Sequence, residues 1–190
     1  MTISQANPTH APSIARLIMQ AMDYDCCQYF AGPDHTLADF ERMMTTLVAA
    51  DDSQYSYRNT LVALADDHVV GICVSYNGKD LRTLRTAFVK AARSAFGRDF
   101  SDMTDETQAG ELYIDSLAVD AEYRRQGIAR QLLEATKHKA KNLGIAKVGL
   151  LVDKGNPNAE RLYASCGFSF VDDSSWGGHP MKHLQCRVDI

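Results

Sequence analysis

The run Arg124-Arg125-Gln126-Gly127-Ile128-Ala129 sits between the end of an apolar strand and the start of an amphipathic helix. A helix start already carries partial positive charge on its free N–H groups, so two added arginines, by themselves ordinary solvated surface charges, make better sense here beside an anion. Gly127 lets the backbone approach a ligand with no Cβ in the way. The first-turn N–H groups, from about Gln126 to Arg130, are placed to bind phosphate oxygens. With Arg124, Arg125 and Arg130 in the same loop and turn, the stretch predicts a pyrophosphate cradle. It matches neither common nucleotide motif: GxxxxGK[ST] is absent, and so is GxGxxG after a first strand.

Other chemistry-bearing residues lie close by in the chain. Glu111 and Asp115 stand on the strand before the cradle, where either could take a proton, or could simply be a strand carboxylate or ion-pair partner. In Asn156-Pro157-Asn158-Ala159-Glu160-Arg161-Leu162-Tyr163, Asn156 is a helix cap with Pro157 at the first helical position, and Gly167 closes the helix. Tyr163 reads by itself as a helix-face aromatic. His179 and His183 read as surface or packing residues, and no cluster has metal-ligand spacing, so no metal is expected. Five cysteines, Cys26, Cys27, Cys73, Cys166 and Cys186, form no CxxC pair and are expected to be reduced core residues.

The elements that must hold these residues follow from periodicity. Ala11–Met22 predicts a helix, and a second follows over Leu37–Val48 with Asp34 or Thr36 as its cap. The segment 23–32 between them has no assignable pattern. Thr60–Ala65 and Val69–Tyr76 predict a hairpin turning at Asp66–His68. Leu81, Leu84, Phe88, Val89, Ala92 and Phe96 mark one face of a helix whose Arg82, Arg85, Lys90 and Arg93 lie elsewhere, and an acidic tract to Glu111 reads as a mobile loop. In the strand Glu111–Val119, alternation puts Tyr113, Asp115, Leu117 and Val119 on one face. A helix over Ile128–Leu143, a buried strand at Ala146–Val152, the Asn156 helix and two closing strands complete the chain. The order predicts one α/β (α+β mixed) domain over 1–190, a largely antiparallel mixed sheet with helices on both faces. The two strands flanking the cradle helix should be parallel with a right-handed crossover.

The charge of −4 argues against a general nucleic-acid binder. No apolar run reaches the ~20 residues of a membrane span, and the N-terminus shows no signal-peptide pattern, so a cytoplasmic protein is expected. The final strand, Met181–Ile190, is a candidate edge for a homodimer.

The segment Asp115–Leu133, "DSLAVDAEYRRQGIARQLL", resembles the hallmark of the GNAT N-acetyltransferase family, Q/R-x-x-G-x-G/A after an L-A-V-like strand end. Arg124 to Ala129 match it, with Gly127 and Ala129 in the small positions. "NPNAERLYASCGF" is similar to that family's second signature, with Asn156, Ala159, Leu162, Tyr163, Gly167 and Phe168 in register. The resemblance covers Glu111 to about Phe170. It implies a GNAT-like fold with a splayed central strand pair and acetyl-CoA as cofactor. Activity would be transfer of acetyl to a primary amine of a small molecule or protein, by direct attack in a ternary complex. Leu117 and Val119, with Ala118 between them, would touch the cofactor through their backbone; Arg124, Arg125, Gln126, Gly127, Ile128, Ala129 and Arg130 would hold its pyrophosphate; Asn156 would add a contact. Tyr163 would be the general acid, and Asp115, or Glu111 through water, the general base. A non-catalytic acyl-CoA sensor, or a nucleotide-binding regulator, stays open as an alternative. The long stretch 77–110 departs from the family's usual short connection, and its helix is expected to roof the acceptor site or contact a second subunit.

Overall fold

A computed structural model describes residues 1–190. In chain order the elements are β1 (Thr2–Gln5), α1 (Ala11–Met22), α2 (Tyr24–Ala31), α3 (Leu37–Ala49), β2 (Thr60–Ala65), β3 (His68–Asn77), α4 (Leu81–Phe96), β4 (Leu112–Val119), α5 (Ile128–Asn142), β5 (Lys147–Asp153), α6 (Pro157–Ser165), β6 (Ser169–Trp176) and β7 (His179–Arg187). The seven strands form one sheet in the order β1-β2-β3-β4-β5-β7-β6. Every pairing is antiparallel except β4 with β5, as the intervening helix requires.

Helices cover both faces. Ile14, Ile18, Phe40, Met44 and Phe88 centre the core on the side of α1–α4, and Ile128, Leu132, Leu133 and Leu150 centre the one beneath α5 and α6. The α3 start is closed by a capping box: Thr36 Oγ1 accepts from Asp39 N, and Asp39 Oδ2 accepts from Thr36 N. Between β2 and β3, Asp66 and Asp67 both hold positive φ (48° and 64°), the geometry of a two-residue hairpin turn.

Two features of β4 shape everything around it. Val74 pairs with Ser116 but Ser75 pairs with Ile114, leaving Asp115 as the extra residue of a bulge. The bulge breaks the expected alternation. Leu117 and Val119 pack on the α5 side with Leu112 and Ile114, whereas Asp115 faces Tyr76 and Gln54 on the opposite side. Asp115 therefore does not share a face with Leu117 and Val119. Second, β4 pairs with β5 only at Leu112–Val148, Tyr113–Gly149 and Ile114–Leu150; beyond that the two strands part.

Other expectations also change. Segment 23–32 contains helix α2, and Thr2–Gln5 adds a strand. The edge of the sheet is β6, with β7 enclosed between β5 and β6, so Met181–Ile190 does not offer a free edge. The acidic tract after α4 is anchored: Phe100, Glu106 and Thr107 are buried. Arg85, expected on a solvated face, is 6% exposed and paired with Glu106 and Asp105.

Glu111, fully buried, ties the end of this tract to the far half of the sheet. Its carboxylate accepts from Thr107 Oγ1 (2.6 Å) and Gln185 Nε2 (2.7 Å), and lies 2.9 Å from His183 Nε2. His183 Nδ1 reaches Asp172 Oδ1 at 3.1 Å. Gly149 has no Cβ because one would overlap the Glu111 carboxylate. The Glu111 hydrogen bond raises the His183 pKa above 6.5, with the ring's burial opposing it, and that bond helps hold Glu111 below 4.5 against its own desolvation. The raised imidazole stabilises the fold fully below pH 6.5 and loses that contribution as pH climbs through its folded value; the depressed carboxylate contributes above pH 4.5 and fails on acidification. Urea midpoints measured against pH should therefore fall on both sides of this window for the native chain. In His183→Gln the alkaline fall should vanish; an unchanged alkaline limb would show that this imidazole is not its source.

Candidate active site

Helix α5 begins without a side-chain cap. Gly127 is its N-cap at φ 79°, and the first helical hydrogen bond runs from Gln131 N to Gly127 O (3.1 Å). The N–H groups of Ile128, Ala129 and Arg130 consequently have no acceptor in the chain. Arg125 is also left-handed (φ 65°), so two reversals in three residues fold the loop over the helix start. Arg124, Arg125, Gln126 and Gly127 are exposed, and the space where a Gly127 Cβ would sit is open for 4 Å. Arg124 Nε donates to Val119 O (3.2 Å), anchoring the loop to β4.

Three of the expected ligand-binding residues have side chains committed within the fold. Arg130 donates to Ser165 O (3.2 Å) and Ser165 Oγ (2.9 Å), tying α5 to α6 and leaving its backbone N–H for an anion. Ile128 is buried in the core, so only its N–H is available. Asn156 Oδ1 accepts from Ala159 N (3.1 Å) as the cap of α6, and the same residue lines the cleft described below.

The parting of β4 and β5 exposes backbone. Asp120 N donates to Val70 O on β3 (2.9 Å). Alternation then turns the N–H and C=O groups of Leu117 and Val119 away from β3, toward the opening, and those of Ala118 toward β3. Val119 O is indeed met from that side, by Arg124 and by Gln20 Nε2 (3.1 Å).

On the α1–α4 face the opening meets a cleft of about 520 Å³. Five carboxylates line it, Asp23, Asp25, Glu106, Asp115 and Asp153, with Tyr55, Tyr113 and Trp176, and no lysine or arginine does. Asp115 accepts from Ser116 Oγ (2.8 Å), Gln54 Nε2 (3.2 Å) and Tyr76 OH (3.3 Å). Burial nevertheless lifts its pKa, because desolvation outweighs those donors. Glu106 is ion-paired with Arg85 and lies 3.5 Å from the same Tyr76 hydroxyl. Burial first, and the Asp115 charge second, push Glu106 up to about 7. Tyr55, Tyr76 and Tyr113 are held neutral by burial.

Tyr163 stands on the other side of the sheet. It packs edge-to-face on Phe168 (5.9 Å between centroids) against the α5–α6 core, and its hydroxyl makes no hydrogen bond in the chain. Burial raises its pKa, so it keeps its proton. Glu111 lines no part of the cleft; its oxygens are committed to Thr107, His183 and Gln185.

Asp115 and the cradle were marked by the sequence, whereas Glu106, Arg85 and Tyr76 were not. One signal was present: Arg85 falls four residues after Leu81 and three before Phe88, on the buried stripe of α4, where a guanidinium needs a buried anion.

Comparison with known proteins agrees with this geometry. A crystal structure described as an acetyltransferase superposes over 100% of both chains with a TM-score of 0.82 and 28% identity. The chain is 36% identical over 66 residues to the chloroplastic GCN5-related N-acetyltransferase 4 of Arabidopsis thaliana, covering 35% of this chain and 23% of that protein. It is 39% identical over 59 residues to the [ribosomal protein bS18]-alanine N-acetyltransferase of Escherichia coli K12, covering 31% and 40%. The matches thus span well under half the length of these curated relatives. Residues 19–168 match the model of the Acetyltransferase (GNAT) family, and the chain belongs to that family.

Proposed function

We propose that this chain is an acetyl-CoA-dependent N-acetyltransferase whose acceptor is a cationic primary amine. The observation that carries the reading is the pairing of two opposite sites across one gap in the sheet. A helix start with free N–H groups and exposed arginines lies at one end of the β4–β5 opening, and a carboxylate-lined cleft lies at the other. The cradle residues fit a pyrophosphate: the donors are unpaired, the glycine position is open, and Arg124 and Arg125 are exposed.

Acetyl-CoA, when bound, supplies the acetyl group as a thioester. The N–H groups of Ile128, Ala129 and Arg130, with Arg124 and Arg125, hold its pyrophosphate. Leu117 offers its outward N–H and C=O groups, and Val119 its N–H, to the cofactor's amide-bearing arm, the Val119 carbonyl being held by Arg124 and Gln20. Asp115 faces the acceptor's ammonium from the cleft. Tyr163, protonated at neutral pH, gives its hydroxyl proton to the departing sulfur. The preference for a cation comes from the lining: five carboxylates, with no lysine or arginine among the lining residues, attract an ammonium and disfavour an anion. That the Escherichia coli relative is named for an alanine acceptor supports an amine as the acceptor group.

Gly127→Ala forces a left-handed residue to carry a Cβ, at about 1–2 kcal/mol. Calorimetric titration with acetyl-CoA should show roughly tenfold weaker binding. Arg125→Ala should weaken it too and flatten its salt dependence; tight, salt-independent binding by both variants would remove the cradle assignment.

Thiol release measured against polyamines, aminoglycosides, amino acids and lysine peptides should be amine-dependent and favour acceptors with more than one positive charge. Tyr163→Phe should lower kcat by about 10²–10⁴-fold while the Kd for acetyl-CoA holds. Tight binding without turnover on any amine would replace the enzyme with a sensor.

A further inference from the structure

We propose that Glu106, supplied by the inserted segment and clamped by Arg85, is the group that takes the proton from the acceptor's ammonium, while Asp115 remains the anion that holds the amine. This rests on the acetyltransferase reading above and adds a residue outside both family signatures.

The geometry comes from four elements. Arg85 projects from α4 and donates to Met103 O (2.9 Å) and Thr104 O (3.1 Å) as well as pairing with Glu106. The arginine thereby fixes the loop that carries Glu106 as well as the carboxylate itself. Tyr76 on β3 places one hydroxyl between two carboxylates, 3.3 Å from Asp115 and 3.5 Å from Glu106. A hydroxyl has one proton to donate, so at any moment one carboxylate goes without it. Gln54 gives Nε2 to Asp115 while its buried Oε1 has no partner, leaving an acceptor unmet in the same corner.

The charges in this corner favour a cation: Arg85 carries one positive charge against the carboxylates of Glu106, Asp115 and Asp105, the last shared with Arg82. The other groups facing Glu106 are Tyr55 and Tyr113, neutral at physiological pH, and Asp105, whose carboxylate also pairs with Arg85.

The two carboxylates are not equivalent. Burial raises Asp115 as well, but three donors, Ser116, Gln54 and Tyr76, work against that rise. Glu106 has burial and the neighbouring Asp115 charge against its ionised form, which brings it to about 7. A base poised near the working pH is the effective one. The proton balance is complete. The nitrogen loses two protons as R–NH3⁺ becomes the amide: the first goes to a Glu106 oxygen and then to solvent. The second leaves as the C–N bond forms and the C–S bond breaks, matching the proton that the sulfur acquires.

The test combines a readout independent of turnover with one that needs it. In ¹³C-carboxyl NMR of the glutamate-labelled free protein, one signal should titrate near pH 7 and be missing from Glu106→Gln. The native kcat/KM should fall below about pH 7 with that same inflection. Glu106→Gln should lose about 10²–10⁴-fold in kcat and lose the inflection, with acetyl-CoA binding unchanged, and Glu106→Asp should recover part of both. Because Glu106→Gln strands the buried Arg85, Tyr76→Phe provides a second reading: it keeps the ion pair and should lower kcat with little change in melting temperature. No glutamate titrating between pH 6 and 8, or an unchanged pH profile in Glu106→Gln or Tyr76→Phe, overturns the proposal while native turnover leaves the acetyltransferase reading standing. Absence of amine-dependent turnover in the native protein overturns both.

Discussion

Between Ile114 and Asp115 the fourth strand stops pairing with β5 and takes on an extra residue against β3. Each event alone would be a local irregularity; together they make the site. The parting frees the outward N–H and C=O groups of Leu117 and the N–H of Val119, whose carbonyl Arg124 and Gln20 take up. Unpaired strand groups inside a sheet are costly unless a ligand or water meets them. The bulge flips the register, so that apolar side chains continue to fill the α5 core on both sides of it while Asp115 turns to the opposite face. Without the extra residue, strict alternation from Leu112 and Ile114 would turn Leu117 and Val119 out of the α5 core and onto the face of Asp115.

The inserted stretch between β3 and β4 answers a second constraint, the buried guanidinium. Removing Arg85 from water costs several kcal/mol before any partner is counted. Two loop carbonyls, Asp105 and Glu106 offset that cost, and they do so only if the acidic tract folds back over α4. The acidic tract that reads in sequence as a mobile loop thereby becomes an ordered wall of the cleft, with Phe100 packed on Phe30 and Phe88 beneath it. The helix expected to roof the acceptor site contributes through the loop it holds down.

The sequence carried the second half of the fold clearly because its signals are local. The cradle turn, the Asn156-Pro157 helix start and the apolar strand at 146–152 are each dictated by residues within a few positions. What it hid was long-range. The bulge at Asp115 is invisible to alternation, since one inserted residue leaves both flanking patterns intact while reversing their relation. His183 looked like an isolated histidine because its partners, Glu111 and Asp172, lie 72 and 11 residues away. Helix α2 escaped because its buried set is only Cys27, Phe30 and Ala31 over eight residues, too short to show a period. Glu106 was read within an acidic run, and its burial depends on an arginine twenty-one residues earlier.

The net charge of −4 says little about this molecule because its charges are sorted by place. Arginines stand at the exposed start of α5, and carboxylates gather in the cleft on the opposite face of the sheet. An anionic cofactor and a cationic acceptor would therefore be drawn to different ends of one opening, neither screening the other's site. The same separation keeps Tyr163 apart from the carboxylates around Tyr76. Tyr163, raised by burial in the α5–α6 core, retains its proton, and the carboxylates around Tyr76 sit on the far side where a proton can be received. In the proposed reaction the acid and the base, which in direct contact would neutralise each other, are divided by the sheet and joined only through the gap between β4 and β5.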